Sequence, residues 1–156
     1  MAVTGMATLP EGSAVVLMEE SERRALLILV GGSEAISIAS RIEHRHQGRP
    51  LTHDLLDEVV LRLGGDLVSV RVDRVEDGVF FGSVLIAKEG RIFELEARPG
   101  DALALAVGRS LPVFVANGVV LQAGIDVEKL DVDALLAPKR RALPGRREIR
   151  PGETEI

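Results

Sequence analysis

The chain has 156 residues, 46% of them apolar, enough for one domain with a real core. It holds no Cys, which excludes disulfides and thiolate metal sites, and four Phe with no Trp or Tyr, which leaves little for stacking on nucleobases. Net charge is −5: residues 138–156 carry six Lys or Arg against three Glu, a net +3, so residues 1–137 carry −8. An acidic body of this kind meets a phosphate backbone only through the tail, a local basic patch or divalent cations.

Met1 to Gly12 shows no basic flank followed by an apolar core, so no signal peptide is expected. No apolar run approaches the roughly 20 residues of a membrane span. The expected location is the cytoplasm, without membrane contact.

Residues 1–12 are small, with Pro10 and Gly12, and read as a flexible lead to a domain over 13–137. Ala14–Met18 is a short apolar strand. Glu19–Arg24 is a charged turn. Ala25–Val30 is continuously apolar and reads as a strand buried on both faces, ended by Gly31-Gly32-Ser33.

Glu34–Gln47 follows as a helix. Ala35, Ile38, Ala39 and Ile42 fall on one face, Ser33 is the expected N-cap and Gly48 the stop. Its cationic end, His44-Arg45-His46, is expected to face solvent. Pro50 forces an extended break. Thr52 is then the expected N-cap of a helix to Leu63, with Leu55, Leu56, Val59, Val60 and Leu63 as its buried face.

Leu67–Val75 alternates as a strand, Asp77-Gly78 signals a hairpin, and Val79–Ala87 returns. Lys88-Glu89-Gly90 turns the chain into Arg91–Ala97. Pro99 and Gly100 open a buried Ala- and Leu-rich helix, Asp101–Val107. Pro112–Ala116 is a short strand, and Val119–Leu136 holds a strand edge and a small helix. From Pro138 the composition reads as a disordered basic tail, able to add non-specific nucleic-acid affinity. The fold class is α+β, a mixed or antiparallel sheet in ββααβββαβ order. Gly31–Ala39 echoes Arg98–Ala106, consistent with an internal ββα duplication in which Glu34 and Asp101 are equivalent.

No metal motif, phosphate loop, nucleophile elbow or dinucleotide fingerprint is present. Two clusters carry candidate chemistry. In Arg49-Pro50-Leu51-Thr52-His53-Asp54, His and Asp can do acid–base work or ligate a divalent cation, while Arg and Thr can hold a phosphodiester. In Arg98-Pro99-Gly100-Asp101, Asp101 can join Glu34 as paired carboxylates around a divalent ion, or pair with Arg98 to fix the loop.

Three segments in series, Leu27–Ala35, Arg49–Leu56 and Glu96–Ala106, with the apolar Leu111–Ala116 behind them, resemble the bifunctional nuclease domain family in its single-domain bacterial form. The resemblance covers about residues 13–120, and Arg49–Asp54 is its most specific part. It implies an α+β fold, a homodimer, and a nuclease acting on DNA and RNA with little sequence preference. The family positions that map here are Glu34, Arg49, Thr52, His53, Asp54, Arg98 and Asp101. Gly100 stands where the family usually has Ser, which removes a helix cap or ligand, and Glu96 where it often has Asp.

The expectation is therefore a metal-assisted nuclease, a hydrolase of phosphodiester bonds. His53, Asp54, Glu34 and Asp101 are the catalytic candidates, and Arg49, Thr52 and Arg98 bind substrate. Glu34, Asp54 and Asp101 hold Mg²⁺ or Mn²⁺. The rival is a non-catalytic, dimeric binding or regulatory domain whose motifs are structural.

Overall fold

The structure is a computed structural model describing residues 1–21, 23–45, 48–131 and Leu135. The basic tail expected over 138–156 lies outside the described residues.

Residues 2–9 are not a flexible lead. They form strand β1 (Ala2–Leu9), which pairs antiparallel with β2 (Gly12–Met18), itself paired with β3 (Arg24–Val30). Of these strands it is β2, not β3, that is buried on both faces: Ala14, Val15, Val16 and Leu17 are all fully enclosed. Such a strand must have both edges occupied, and β1 fills the outer one. Its small residues and a register shift at Gly5 hide the strand pattern. In β3, Leu29 is 54% exposed, so the expected double burial fails on that side.

Helix α1 (Gly32–Ile42) follows β3, and α2 (Thr52–Arg62) follows α1. Then come β4 (Asp66–Glu76), β5 (Val79–Lys88), β6 (Arg91–Ala97) and α3 (Pro99–Arg109). Short elements finish the described chain: β7 (Val113–Val115), α4 (Asn117–Ala123), β8 (Ile125–Asp126) and a 3-10 turn over Val127–Lys129. The class is α+β, as expected, with a leading strand added. Among the described residues, no helix is long and apolar enough to cross a membrane.

Two four-stranded sheets result, in the orders β1-β2-β3-β8 and β6-β5-β4-β7. All pairings are antiparallel except β4 with β7. Both tight turns of the second sheet need two residues at positive φ: Asp77 and Gly78 at 49° and 79°, Glu89 and Gly90 at 51° and 73°. That is the twist-matched hairpin geometry, which explains why the Asp-Gly signal is legible in the sequence.

Each half is thus a three-stranded meander leading into an 11-residue helix, β1-β2-β3-α1 and β4-β5-β6-α3. Glu34 and Asp101 are the third residues of the two helices. One continuous core joins the halves. Leu17, Leu26 and Ile28 of the first sheet meet Ile38 of α1, Leu103 of α3, and Val70 and Val72 of the second sheet. Burying each such side chain contributes about 1.5–3 kcal/mol.

Helix α2 departs most from expectation. Its apolar residues were to be buried, yet Leu55, Leu56, Val59 and Leu63 are 42–67% exposed; Val60 alone of the five packs partly on the core. The residue that α2 buries is His53.

Candidate functional site

The site is built around Glu34. The chain reaches α1 through Gly31, which holds the N-cap position in place of Ser33. A Cβ on Gly31 would lie 2.5 Å from Glu34 Oε2, so glycine here lets this carboxylate fold over the helix start where a larger residue would displace it. Gly100 gives room from the other side, since its Cβ would stand 3.1 Å from Val30 and 3.3 Å from Glu34 Cγ. Glu34 is consequently 5% exposed, and a carboxylate so enclosed needs a cation or hydrogen bonds.

Arg98, at the N-cap of α3, supplies the cation. Its Nη2 donates to Glu34 Oε1 at 2.6 Å and its Nε to Asp101 Oδ2 at 2.9 Å. The Ser33 hydroxyl donates to Glu34 Oε2 at 2.9 Å. His53 Nε2 lies 3.0 Å from Asp101 Oδ1. With Asp101 ionised, that nitrogen carries the proton, leaving Nδ1 buried without a partner. Burial pushes the Asp101 carboxyl up, but hydrogen bonds from Arg98 and His53 outweigh it and hold the group below the usual carboxylate range. The hydrogen bond to Asp101, then the charges of Asp101 and Glu34, push the Arg98 guanidinium up.

The network sits at the end of a cleft of about 490 Å³. Leu29, Val30, Val79 and Phe80 form its apolar walls, and Glu34 and Arg98 its polar end. The Arg98 side chain is 75% exposed, so the cation faces solvent while one of its two acceptors, Glu34, is buried.

Asp54 belongs elsewhere. His53 and Asp54 are consecutive on a helix and so point about 100° apart. Asp54 Oδ2 accepts from the Leu51 N–H at 2.8 Å, which caps α2 from its third residue, while Thr52 is an exposed first-turn residue rather than the N-cap. Asp54 Oδ1 accepts from Arg41 Nη2 at 2.8 Å. Arg41 was not foreseen. Its side chain is 9% exposed, and its Nη1 also donates to Asp57 Oδ2 at 3.1 Å and to the Ala104 carbonyl at 2.9 Å, so one side chain clasps α1, α2 and α3. A Cβ on Gly108 would overlap this guanidinium. The available signal was the spacing of Asp54 and Asp57, one helical turn apart on the same face. Arg49 is exposed and lines a different cleft of about 520 Å³ with Arg41, Arg45 and Asp54.

Of the seven sequence candidates, Glu34, His53, Arg98 and Asp101 meet, while Arg49, Thr52 and Asp54 do not join them. The three carboxylates expected to share one metal ion are therefore split, and no group of three His, Asp or Glu among the described residues is placed to hold a metal. Glu34 Oε1 and Asp101 Oδ2 are held by two different nitrogens of Arg98, and their other oxygens by Ser33 and His53, so the pair as it stands does not fit a divalent cation.

The profile of the bifunctional nuclease domain matches residues 15–128. An uncharacterized protein of Mycobacterium tuberculosis is 34% identical over 117 residues, which are 74% of this chain and 70% of that one. Bifunctional nuclease 1 of Arabidopsis thaliana is 24% identical over 121 residues, 76% of this chain and 37% of that protein. Bifunctional nuclease 2 of Oryza sativa subsp. japonica is 23% identical over 119 residues, 74% of this chain and 37% of that protein. The chain thus spans little more than a third of the plant proteins.

Proposed function

The chain belongs to the bifunctional nuclease domain family, and from that membership we propose that it is a hydrolase cleaving phosphodiester bonds of DNA or RNA at the Glu34–Arg98–Asp101–His53 cluster. The observation that carries the reading is convergence. Four chemistry-bearing side chains from three separate segments form one network, and two of them, Glu34 and the exposed Arg98, line an open cleft.

Arg98 presents its free edge to a phosphodiester, which guanidinium recognises by hydrogen bonds as well as by charge. Asp101 stays ionised at neutral pH, and its remaining lone pairs orient a water beside that phosphate. His53 fixes the carboxylate, and its own buried Nδ1 keeps it from reaching substrate.

The functional unit is a homodimer. Leu55, Leu56, Val59 and Leu63 leave α2 with an exposed apolar face, and Phe93 and Leu95 of β6 are exposed as well. Exposed apolar surface of this kind marks an interface.

A second reading has its own support. All four carboxylate oxygens of Glu34 and Asp101 are already paired, as in a structural network that fixes two strand-to-helix turns. In that case the domain binds or regulates without catalysis. Cleavage of labelled single-stranded DNA and RNA, with and without Mg²⁺ or Mn²⁺, decides between them. Metal-stimulated cleavage that disappears in folded Asp101→Asn and Arg98→Ala proteins supports the nuclease. Cleavage unchanged in both variants refutes this site, and a wild-type chain that cuts neither polymer leaves the structural reading.

A further inference from the structure

We propose that the cleft between β3 and the β4–β5 turn docks an extended peptide of a partner protein: the peptide adds as a strand to the open edge of β3 and sets an acidic residue on Arg98. This docking uses strand edges and one guanidinium, so it does not depend on the nuclease reading.

Sheet topology shows the open edges. β8 pairs with β3 only at Arg24 and Ala25, so past that point β3 has β2 on one side and no strand on the other. Among the described residues, no backbone hydrogen bond reaches that outer edge over residues 27–30. β5 is open in the same way. Its pairing with β6 begins at Gly82, so Val79 and Phe80 have β4 on one side only. The cleft of about 490 Å³ lies between these two openings. Residues 27–30 line it in unbroken sequence, and so do residues 78–80. Successive strand side chains point to opposite faces, so a consecutive run can line one cleft only along its backbone edge. Unpaired N–H and C=O groups on such an edge are a template for another strand.

The walls and the far end define the occupant. Leu29 and Val79 are 54% and 57% exposed, and they give alternate side chains of an added strand an apolar seat. Four residues of edge run about 13 Å, enough for a guest of about the same length. Arg98 stands at the polar end, where Gly100 packs toward Val30. A guanidinium has five N–H groups; one goes to Glu34 and one to Asp101, so three remain on a side chain that is 75% exposed. Those donors take a carboxylate by charge-assisted hydrogen bonds. A nucleobase in the same cleft would meet the apolar walls but leave the strand edge unpaired, which is why a peptide is the better fit.

The test maps amide chemical shifts of the full chain by nuclear magnetic resonance, with synthetic pentapeptides as probes. Each carries Val, Ile, Leu or Thr at four positions and Asp at one end, first in one pool and last in the other, because a strand can enter in either direction. One Asp pool should bind at least about tenfold more tightly than the same pool with Lys in place of Asp, the size of one charge-assisted hydrogen bond. The shifted amides should cluster on residues 27–30 and 78–80. Methylating alternate peptide nitrogens should weaken binding about tenfold for the set that faces β3 and leave it unchanged for the other set. Arg98→Gln, folded by circular dichroism, should still bind but lose the preference for Asp. Equal binding of the Asp and Lys pools, or shifts that fall elsewhere, overturns the proposal. An oligonucleotide that shifts residues 27–30 where the peptides do not makes the cleft a base site, and shifts there on diluting the protein alone make it a contact between copies; either result also overturns it.

Discussion

Replacing Arg41 by Ala tests whether the clasp between α1, α2 and α3 holds the frame on which the site stands. The side chain is 9% exposed and pairs with one oxygen of Asp57, itself 15% exposed, with Asp54 and with the Ala104 carbonyl. Breaking a buried pair by removing one partner costs about 3–5 kcal/mol, because the other charge is left without compensation. Asp54 is 42% exposed and regains water, so the low end, about 3 kcal/mol, applies. For a domain of this size that is a fall of roughly 6–12 °C in melting temperature. Thermal unfolding by circular dichroism at pH 7 reads it. Arg41→Ala/Asp57→Ala should fall by less than the sum of the single variants, since the orphaned carboxylate is gone, with a coupling of at least about 1 kcal/mol. A drop of under about 3 °C for Arg41→Ala, or strict additivity, would refute the claim that this guanidinium is the counter-charge of the α2 carboxylates.

Three other outcomes are expected. Leu55→Glu with Leu63→Glu should convert a dimer to a monomer in sedimentation velocity without lowering helix content, and an unchanged sedimentation coefficient would exclude α2 from the interface. Asp101 has a depressed carboxyl in the folded state, so its contribution to stability is complete above the unfolded value near 3.9 and is lost as pH falls through the folded value. Asp101→Asn should therefore flatten the decline of melting temperature in that acid range and leave the slope between pH 6 and 8 untouched. Gly31→Ala drives a Cβ into the Glu34 carboxylate and should cost about 1–3 kcal/mol by denaturant unfolding, whereas Gly32→Ala, inside the first turn with open space around its Cβ, should be neutral or stabilise by up to about 1 kcal/mol.

Much of the architecture is a local matter and was legible. Alternation in Leu67–Val75, the Asp77-Gly78 and Glu89-Gly90 turns, and the small-and-aliphatic runs after Gly31 and Pro99 each dictate their element through backbone sterics and side-chain period. The echo between the two halves was legible too, and it correctly put Glu34 and Asp101 at matching helix positions. What the residues alone could not decide is who pairs with whom. His53 and Asp54 are neighbours in sequence, yet a helix turns them about 100° apart and sends them to different counter-ions, one from α3 and one from α1. The apolar run of α2 reads as a buried face, but burial requires a surface opposite, and among the described residues none covers it. Arg41 reads as a cation near a helix end, and only the approach of α2 and α3 makes it the centre of a buried clasp. Propensity and periodicity act over a turn or a strand, whereas the site's charges are set by contacts between residues 48 and 64 positions apart, which exist only once the halves have packed.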